Sequence, residues 1–302
     1  MALRADPDDG ATWLRLGESY GKAGRHVAAL KALERAKTLL SDDWIPSYFI
    51  ADVQRQLGQF GLAIQTLESI RAPDAKIGVA VSLSQIYLDM GSEELSTGFI
   101  SRAELSFVGA IQLALSSLED NRGFGTLIWK TIADALFDLS TRSSFIHPGI
   151  IHETAERVFS LTFPDKSERI SALFTLNSET LSGLETLTGT QLAEVAVAAY
   201  DHRLSLEANK SASVGSFWFD LGIALHTWGF RLGASERKGE AQKAAIRCLT
   251  EAVRKNSNDD RMWTALAIAH ASDSATTAQH AFVKALEIDP KARRLSYMSF
   301  HF

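Results

Sequence analysis

Apolar and polar positions follow the period of a helix along this chain, not that of a strand. Between residues 10 and 23, Trp13, Leu16 and Tyr20 recur three and four apart and mark a single stripe among polar neighbours. This predicts a helix closed by Gly24, because a left-handed terminal residue costs glycine nothing. A second stripe, Val27, Leu30, Leu33 and Leu40, predicts an antiparallel partner helix. Gly17 and Ala29 are small where the two helices of such a hairpin must cross closely.

This spacing resembles the 34-residue tetratricopeptide repeat, written W-x2-L-G-x2-Y, then A-x3-F-x2-A, then P. With Trp13 at position 4, Ala29 falls at position 20 and Ala36 at position 27. Leu33 stands in for the usual aromatic at 24, and Ser41 for the proline at 32. Counted backwards, Pro7 and Ala2 fit the end of a preceding unit. The chain is therefore expected to open inside a repeat, as a piece of something longer.

The register continues. Gly58, Ala63 and Leu67 belong to a second unit. Leu83, Tyr87 and Gly91, then Ala103, Phe107 and Ala110, suggest a third with a loop about seven residues over standard length. Trp129, Ile132, Ala133 and Leu136 open a fourth. Its second half is obscure: residues 151–163 and 169–187 read as helices without a repeat match, and residues 191–206 as a helix carrying Ala196, Tyr200 and Leu204. Trp218, Leu221, Gly222 and Leu225 open a fifth unit, whose Ala245, Leu249 and Ala252 follow about eleven extra residues around Gly229 and Gly239. The sixth has Trp263, Leu266, Ala267 and His270, then Ala278, Phe282, Ala285 and Pro290.

The expected fold is all-α: a tetratricopeptide superhelical solenoid of about six helix-turn-helix units with loop insertions. Residues 1–139 would form one array with its first repeat incomplete. Residues 140–190 would be a divergent helical insertion or degenerate repeat, 191–290 a second array, and 291–302 a tail or truncated end.

Composition narrows the function. The 302 residues are 46% hydrophobic and 22% charged, and 31 basic against 36 acidic residues leave a formal charge of −5. That balance offers no basic footprint for nucleic acid. No run approaches the ~18 apolar residues of a membrane span, and residues 1–10 lack the layout of a secretory signal. Cys248 is the single cysteine, so no internal disulfide can form and a reducing compartment is expected.

Catalytic motifs were sought and found wanting. Residues 17–23 superficially resemble a P-loop, but with three residues between the glycines and Ala23 after Lys22. Gly123 and Gly125 form a lone pair without a third glycine, and no nucleophile elbow occurs. His147 and His152 lack the spacing of a zinc helix, and Pro148 interrupts them. The carboxylate clamp of chaperone-binding repeats would need Lys and Asn where Leu14, Glu18, Thr264 and Ile268 stand. The basic groupings, at Arg237, Lys238 and Lys243, at Arg254 and Lys255, and at 291–294, read as solvated faces. The chain is read as non-enzymatic, with no catalytic, cofactor or metal residues.

Several strings are more idiosyncratic, among them PSYFIADVQRQLGQFGLAIQTLESI, FWFDLGIALHTW and AAIRCLTEAVRKNSNDDRMWTALAIAHA. Their order resembles the large tetratricopeptide scaffold subunits of superkiller (Ski) complexes. The resemblance runs from about residue 2 to 290 and corresponds to an interior stretch of that longer family. It implies a cytoplasmic protein, with a nuclear pool allowed. Its partners would be an RNA helicase and WD40-repeat subunits, and indirectly the exosome, which degrades messenger RNA from the 3′ end. A generic adaptor of another assembly, or the substrate-binding arm of a larger enzyme, are the alternatives.

In tetratricopeptide repeats, positions 2, 5, 9 and 12 of the first helices line the concave groove. By register this nominates Tyr48, Asp52 and Arg55 in the second unit, and Lys130, Asp134 and Phe137 in the fourth. It also nominates Phe219 and His226 in the fifth and Arg261 in the sixth. Aromatic and arginine residues there would serve as interface anchors.

Overall fold

The computed structural model describes residues 6–118, 124–162, 170–206, 214–233 and 235–290. Fourteen α-helices occur among them, and no strand. The first unit holds α1 (Gly10–Lys22), α2 (His26–Leu39), α3 (Ile45–Gln56), α4 (Phe60–Glu68), α5 (Lys76–Ser96) and α6 (Ile100–Ser116). The second holds α7 (Gly125–Ser140), α8 (Pro148–Thr162), the short α9 (Ser178–Ser182) and α10 (Gly189–Leu206). It continues with α11 (Val214–Arg231), α12 (Glu236–Lys255), α13 (Asp260–His270) and α14 (Ala275–Ile288).

Each unit is built of three helix hairpins. They are α1/α2, α3/α4 and α5/α6 in the first, and α7/α10, α11/α12 and α13/α14 in the second. The second helix of a hairpin also packs on the first helix of the next within its unit, as α2 does on α3 and α12 on α13. What lets two helices cross is a small residue in the first facing a large one in the second. A Cβ added to Gly17 would lie 2.5 Å from Leu33 Cγ, one on Gly222 2.7 Å from Leu249 Cγ, and one on Gly91 2.9 Å from the Phe107 ring. Ala51, Ala133 and Ala267 occupy the same register in the other hairpins and are buried. So are Ala29, Ala63, Ala103, Ala196, Ala245 and Ala278, one in each second helix.

Local chemistry sets the ends. Gly24, Gly58, Gly98 and Gly233 turn four of the hairpins, each at positive φ. Side chains of Asp9, Ser235, Asp259 and Ser274 cap α1, α12, α13 and α14. Trp13 and Trp263 occupy equivalent positions and brace the preceding loops identically, each indole donating to a carbonyl six residues earlier, Pro7 O at 2.8 Å and Ser257 O at 2.9 Å.

Four expectations change. The third unit has no long loop: residues 97–99 make an ordinary turn, and the extra residues sit in the first half of α5. The extra residues of the fifth unit lengthen α11 and α12, leaving only residues 232–235 between them. Val27, assigned to the apolar stripe of α2, is exposed.

The fourth change concerns the helix expected over residues 169–187: Arg169 lies outside the described residues, and residues 170–187 are mostly not helical, a 3-10 turn (Ser171–Leu173) and a stretch without regular secondary structure leading to the short α9. The cause is capture of backbone groups by side chains. The Glu194 carboxylate accepts from the amides of Thr175 at 2.6 Å and Leu176 at 2.7 Å, and Asn177 opens α9 with a capping box. Residues 151–163 are helical as expected up to Thr162. Phe163, Gly123 and residues 291–302 lie outside the described residues.

The partner of α7 is α10, so residues 141–188 form an excursion between the two helices of the fourth hairpin. Its two ends meet, since any side chain on Gly189 would collide with the carbonyl oxygens of Ser140 and Arg142. Arg231 of α11 donates to the Ser140 carbonyl and hydroxyl at this base.

Gly17→Ala is expected to destabilise the chain by about 1–3 kcal/mol through overpacking against Leu33. In denaturant titrations, Gly17→Ala combined with Leu33→Ala should cost less than the sum of the single changes. Strict additivity would contradict the crossing contact.

Candidate functional site

The nominated residues fall into clusters with different characters. In the first unit, Arg55 of α3 donates to Asp89 of α5 at 2.5 Å and to Asp52 at 3.0 Å. Ser82 of α5 donates to the Tyr48 hydroxyl at 2.9 Å, and Trp44 and Phe49 meet the Tyr48 ring edge-on. Burial pulls the Arg55 pKa down, but the hydrogen bonds and charges of Asp52 and Asp89 outweigh it and hold the group above its ordinary value. Tyr48, Asp52 and Arg55 thus lie together and tie α3 to α5.

In the second unit, Lys130 and Asp134 of α7 belong to a network running through three helices. Lys130 pairs with Asp134 at 2.9 Å and with Asp220 of α11 at 3.4 Å. Tyr200 of α10 donates to Asp134 at 2.6 Å. Arg203 of α10 donates to Asp220 at 2.5 Å and to Thr126 O at 3.1 Å, and its guanidinium lies 3.7 Å from the Phe217 ring centre. Burial, and next the charge of Asp134, keep the Tyr200 phenol well above its ordinary pKa, so it is a fixed donor. Phe137 stands edge-on to Tyr200 at 6.5 Å between centroids.

Repeat register points to Lys130 and Asp134 but not to Arg203 and Asp220. A signal existed: Arg203 occupies the position where the repeat pattern asks for alanine. Its side chain is only 6% exposed, and Asp220 supplies the counter-charge at 18%.

The remaining nominees separate. Phe219 packs against the cluster around Leu249, Leu266 and Ala269. Arg261 folds back on the capping Asp259 of its own helix, at 2.8 Å, and is otherwise solvent-facing. His226 of α11 lines a cavity of about 450 Å3 with Phe230, Lys238 and Ile268. Its Nδ1 lies 3.0 Å from Gln242 Oε1. Burial holds this imidazole below its ordinary value of 6.5.

The motifs set aside on sequence grounds have structural employment. Gly17 sits in mid-helix against Leu33, and His152 Nε2 lies 2.9 Å from Leu181 O. Arg237 donates to Leu173 O at 3.0 Å and pairs with the buried Glu194 at 3.4 Å. No helix among the described residues is long and apolar enough to cross a membrane.

Repeated hairpins with small residues at each crossing define a tetratricopeptide-repeat fold. One subunit chain of the Cut9–Hcn1 hetero-tetramer of the APC/C shares the fold, with a TM-score of 0.50 at 17% identity over 97% of this chain and 42% of that one. No family profile matches the sequence. The particular protein it resembles is superkiller protein 3: the Schizosaccharomyces pombe protein is 29% identical over 92% of this chain and 20% of its own length. The Saccharomyces cerevisiae protein of that name is 24% identical over 96% of this chain and 20% of its own, and the Mus musculus superkiller complex protein 3 is 24% identical over 93% and 17%. The chain therefore spans about a fifth of the length of these curated relatives.

Asp220→Asn leaves Arg203 buried without its counter-charge and should cost about 3 kcal/mol in urea unfolding. The half-exposed Arg55–Asp89 pair should contribute less than about 1 kcal/mol by double-mutant cycle. Equal losses would remove the distinction between the two clusters.

Folding lowers the His226 pKa, so below 6.5 the unfolded chain takes up the proton more readily. Stability is then full above that pH and declines as pH falls through it. His226→Gln should flatten the decline as pH falls through 6.5 in thermal melts.

Proposed function

We propose that this chain is a non-catalytic scaffold segment of a superkiller-type complex. In this reading it holds protein partners together in support of exosome-mediated 3′-to-5′ messenger RNA decay in the cytoplasm. The observation that carries the reading is similarity to superkiller protein 3 along nine-tenths of the chain. The fold supports it chemically. Each hairpin spends its apolar face on its neighbours and leaves a row of first-helix side chains for recognition. An RNA helicase and WD40-repeat subunits are the proposed partners, and the first-helix face of Tyr48, Asp52, Arg55, Lys130, Asp134, Phe137, Phe219, His226 and Arg261 the proposed surface. The acidic balance, −5 over the whole chain, fits protein contacts better than a phosphate track.

Affinity purification of the tagged natural-length protein from its own cells, followed by mass spectrometry, tests the assignment. The expected outcome is co-recovery of a superfamily 2 RNA helicase with a WD40 protein. Recovery of a different stable assembly would discard the superkiller reading and keep the repeat fold. Replacing Tyr48, Arg55, Phe219 and Arg261 together with alanine should weaken that recovery. Undiminished recovery with a variant that melts normally would sink the first-helix surface.

A further inference from the structure

The fifth hairpin is longer than a standard repeat, and its extra turns show two unlike faces. Trp228 is fully buried, with its ring 5.9 Å from Phe174 of the excursion, and Arg237 reaches Leu173 O on the same side. His226 and Phe230, two residues to either side of Trp228, project roughly half a helical turn away from it. They open onto the cavity of about 450 Å3 bounded by α12 and the end of α13. The extension is thus braced on one side and borders a cavity on the other.

The cavity side has a definite polarity. Gln242 bridges three helices: its Nε2 lies 2.5 Å from Ala269 O, and its Oε1 lies 3.0 Å from His226 Nδ1. A carbonyl only accepts, so the Gln242 amide must turn its NH2 to Ala269 and its oxygen to His226. His226 Nδ1 therefore carries the proton and donates, and Nε2 is left as an acceptor with no hydrogen bond among the described residues. Phe230 is 62% exposed, and the Lys238 ammonium lies 5.4 Å from its ring centre. Lys238 makes no ion pair among the described residues, and no carboxylate lines the cavity. The cavity thus combines an apolar floor of Phe230 and Ile268, one unneutralised cation and one neutral acceptor.

We propose that this groove, between the extended fifth hairpin and the end of α13, docks a short acidic peptide segment of a partner protein. The segment carries a bulky aromatic side chain next to an aspartate or glutamate. The aromatic ring rests on Phe230 and Ile268, the carboxylate pairs with Lys238, and a donor on the segment meets His226 Nε2. Charge complementarity selects this occupant over a basic one. The site specifies one partner contact of the scaffold proposed above and rests on that reading.

The test uses the full chain and a fluorescein-labelled decapeptide of alternating Asp and Glu around a central Trp, with a Lys-for-acid peptide as control. In fluorescence anisotropy the acidic peptide should bind saturably and the basic one should not. Phe230→Ala should weaken binding about tenfold, the loss of one aromatic anchor. Lys238→Glu should exchange the preference between the two peptides. Both residues are at the surface, so melting temperatures should be unaltered. Equal binding of the two peptides, or no response to either substitution, overturns the proposal. So does a result in which the substitutions change only self-association in sedimentation, which would make a second copy the occupant. Purification from cells separates this failure from that of the scaffold reading. If the Phe230→Ala/Lys238→Glu protein recovers the wild-type set of partners, the groove is refuted and the scaffold stands. If the wild type recovers none, the scaffold itself falls.

Discussion

Everything in this protein depends on how closely two helices of a hairpin can approach. Gly17 against Leu33, Gly91 against Phe107 and Gly222 against Leu249 place a backbone where a side chain would collide. The large partner is then enclosed by the first helix of its own hairpin. The contact is made within a hairpin, but burial is completed only by a neighbour, as when α2 packs on α3 and α12 on α13. Stability in each unit is therefore shared among hairpins. A crossing residue has consequences beyond its own pair, since shifting Leu33 also disturbs Ile50 and Val53 of α3 in the same cluster.

The second unit departs from plain repetition, and its departures answer one another. Residues 141–188 leave the fourth hairpin and return at one point, closed by Gly189 and braced by Arg231. The body of the excursion then needs something to pack on. The added turns of α11 and α12 supply it, through Trp228 against Phe174 and Arg237 against Leu173 O. Glu194 closes the arrangement from α10, its buried carboxylate answered by two amides and the Arg237 guanidinium. Such a carboxylate is tolerated because charge-assisted hydrogen bonds replace the water it loses.

The repeat itself was legible because period and residue size are written directly in the sequence. Alanine at one register and glycine or alanine at another can be read without coordinates, and Gly24 announces its turn. Lengths were misread because extra residues were assigned to loops. Near Gly229 and Gly239 the glycines suggested an irregular connection, yet Gly229 is small because α11 passes close to Ala241. Residues 169–187 were illegible for another reason. Their conformation is dictated by Glu194, a residue distant in sequence, which no local propensity contains. The helix positions of the nominated residues were legible, but not their pairing. Register located Lys130 and Asp134 correctly on α7, while their engagement by Tyr200 and Asp220 required knowing that α10 is their partner.

That engagement bears on where recognition can occur. A side chain already committed to an internal ion pair offers a partner only the difference between old and new contacts, less the cost of breaking the old. Arg55, held by two carboxylates, and Lys130, held by two more, are poor sources of new binding free energy. Lys238 carries no such penalty from an ion pair among the described residues, and Phe230 is 62% exposed. They also stand on turns that the standard repeat does not have. A partner that meets the first-helix face must therefore exchange internal pairs for external ones, whereas the turns added to the fifth hairpin offer contacts without that exchange.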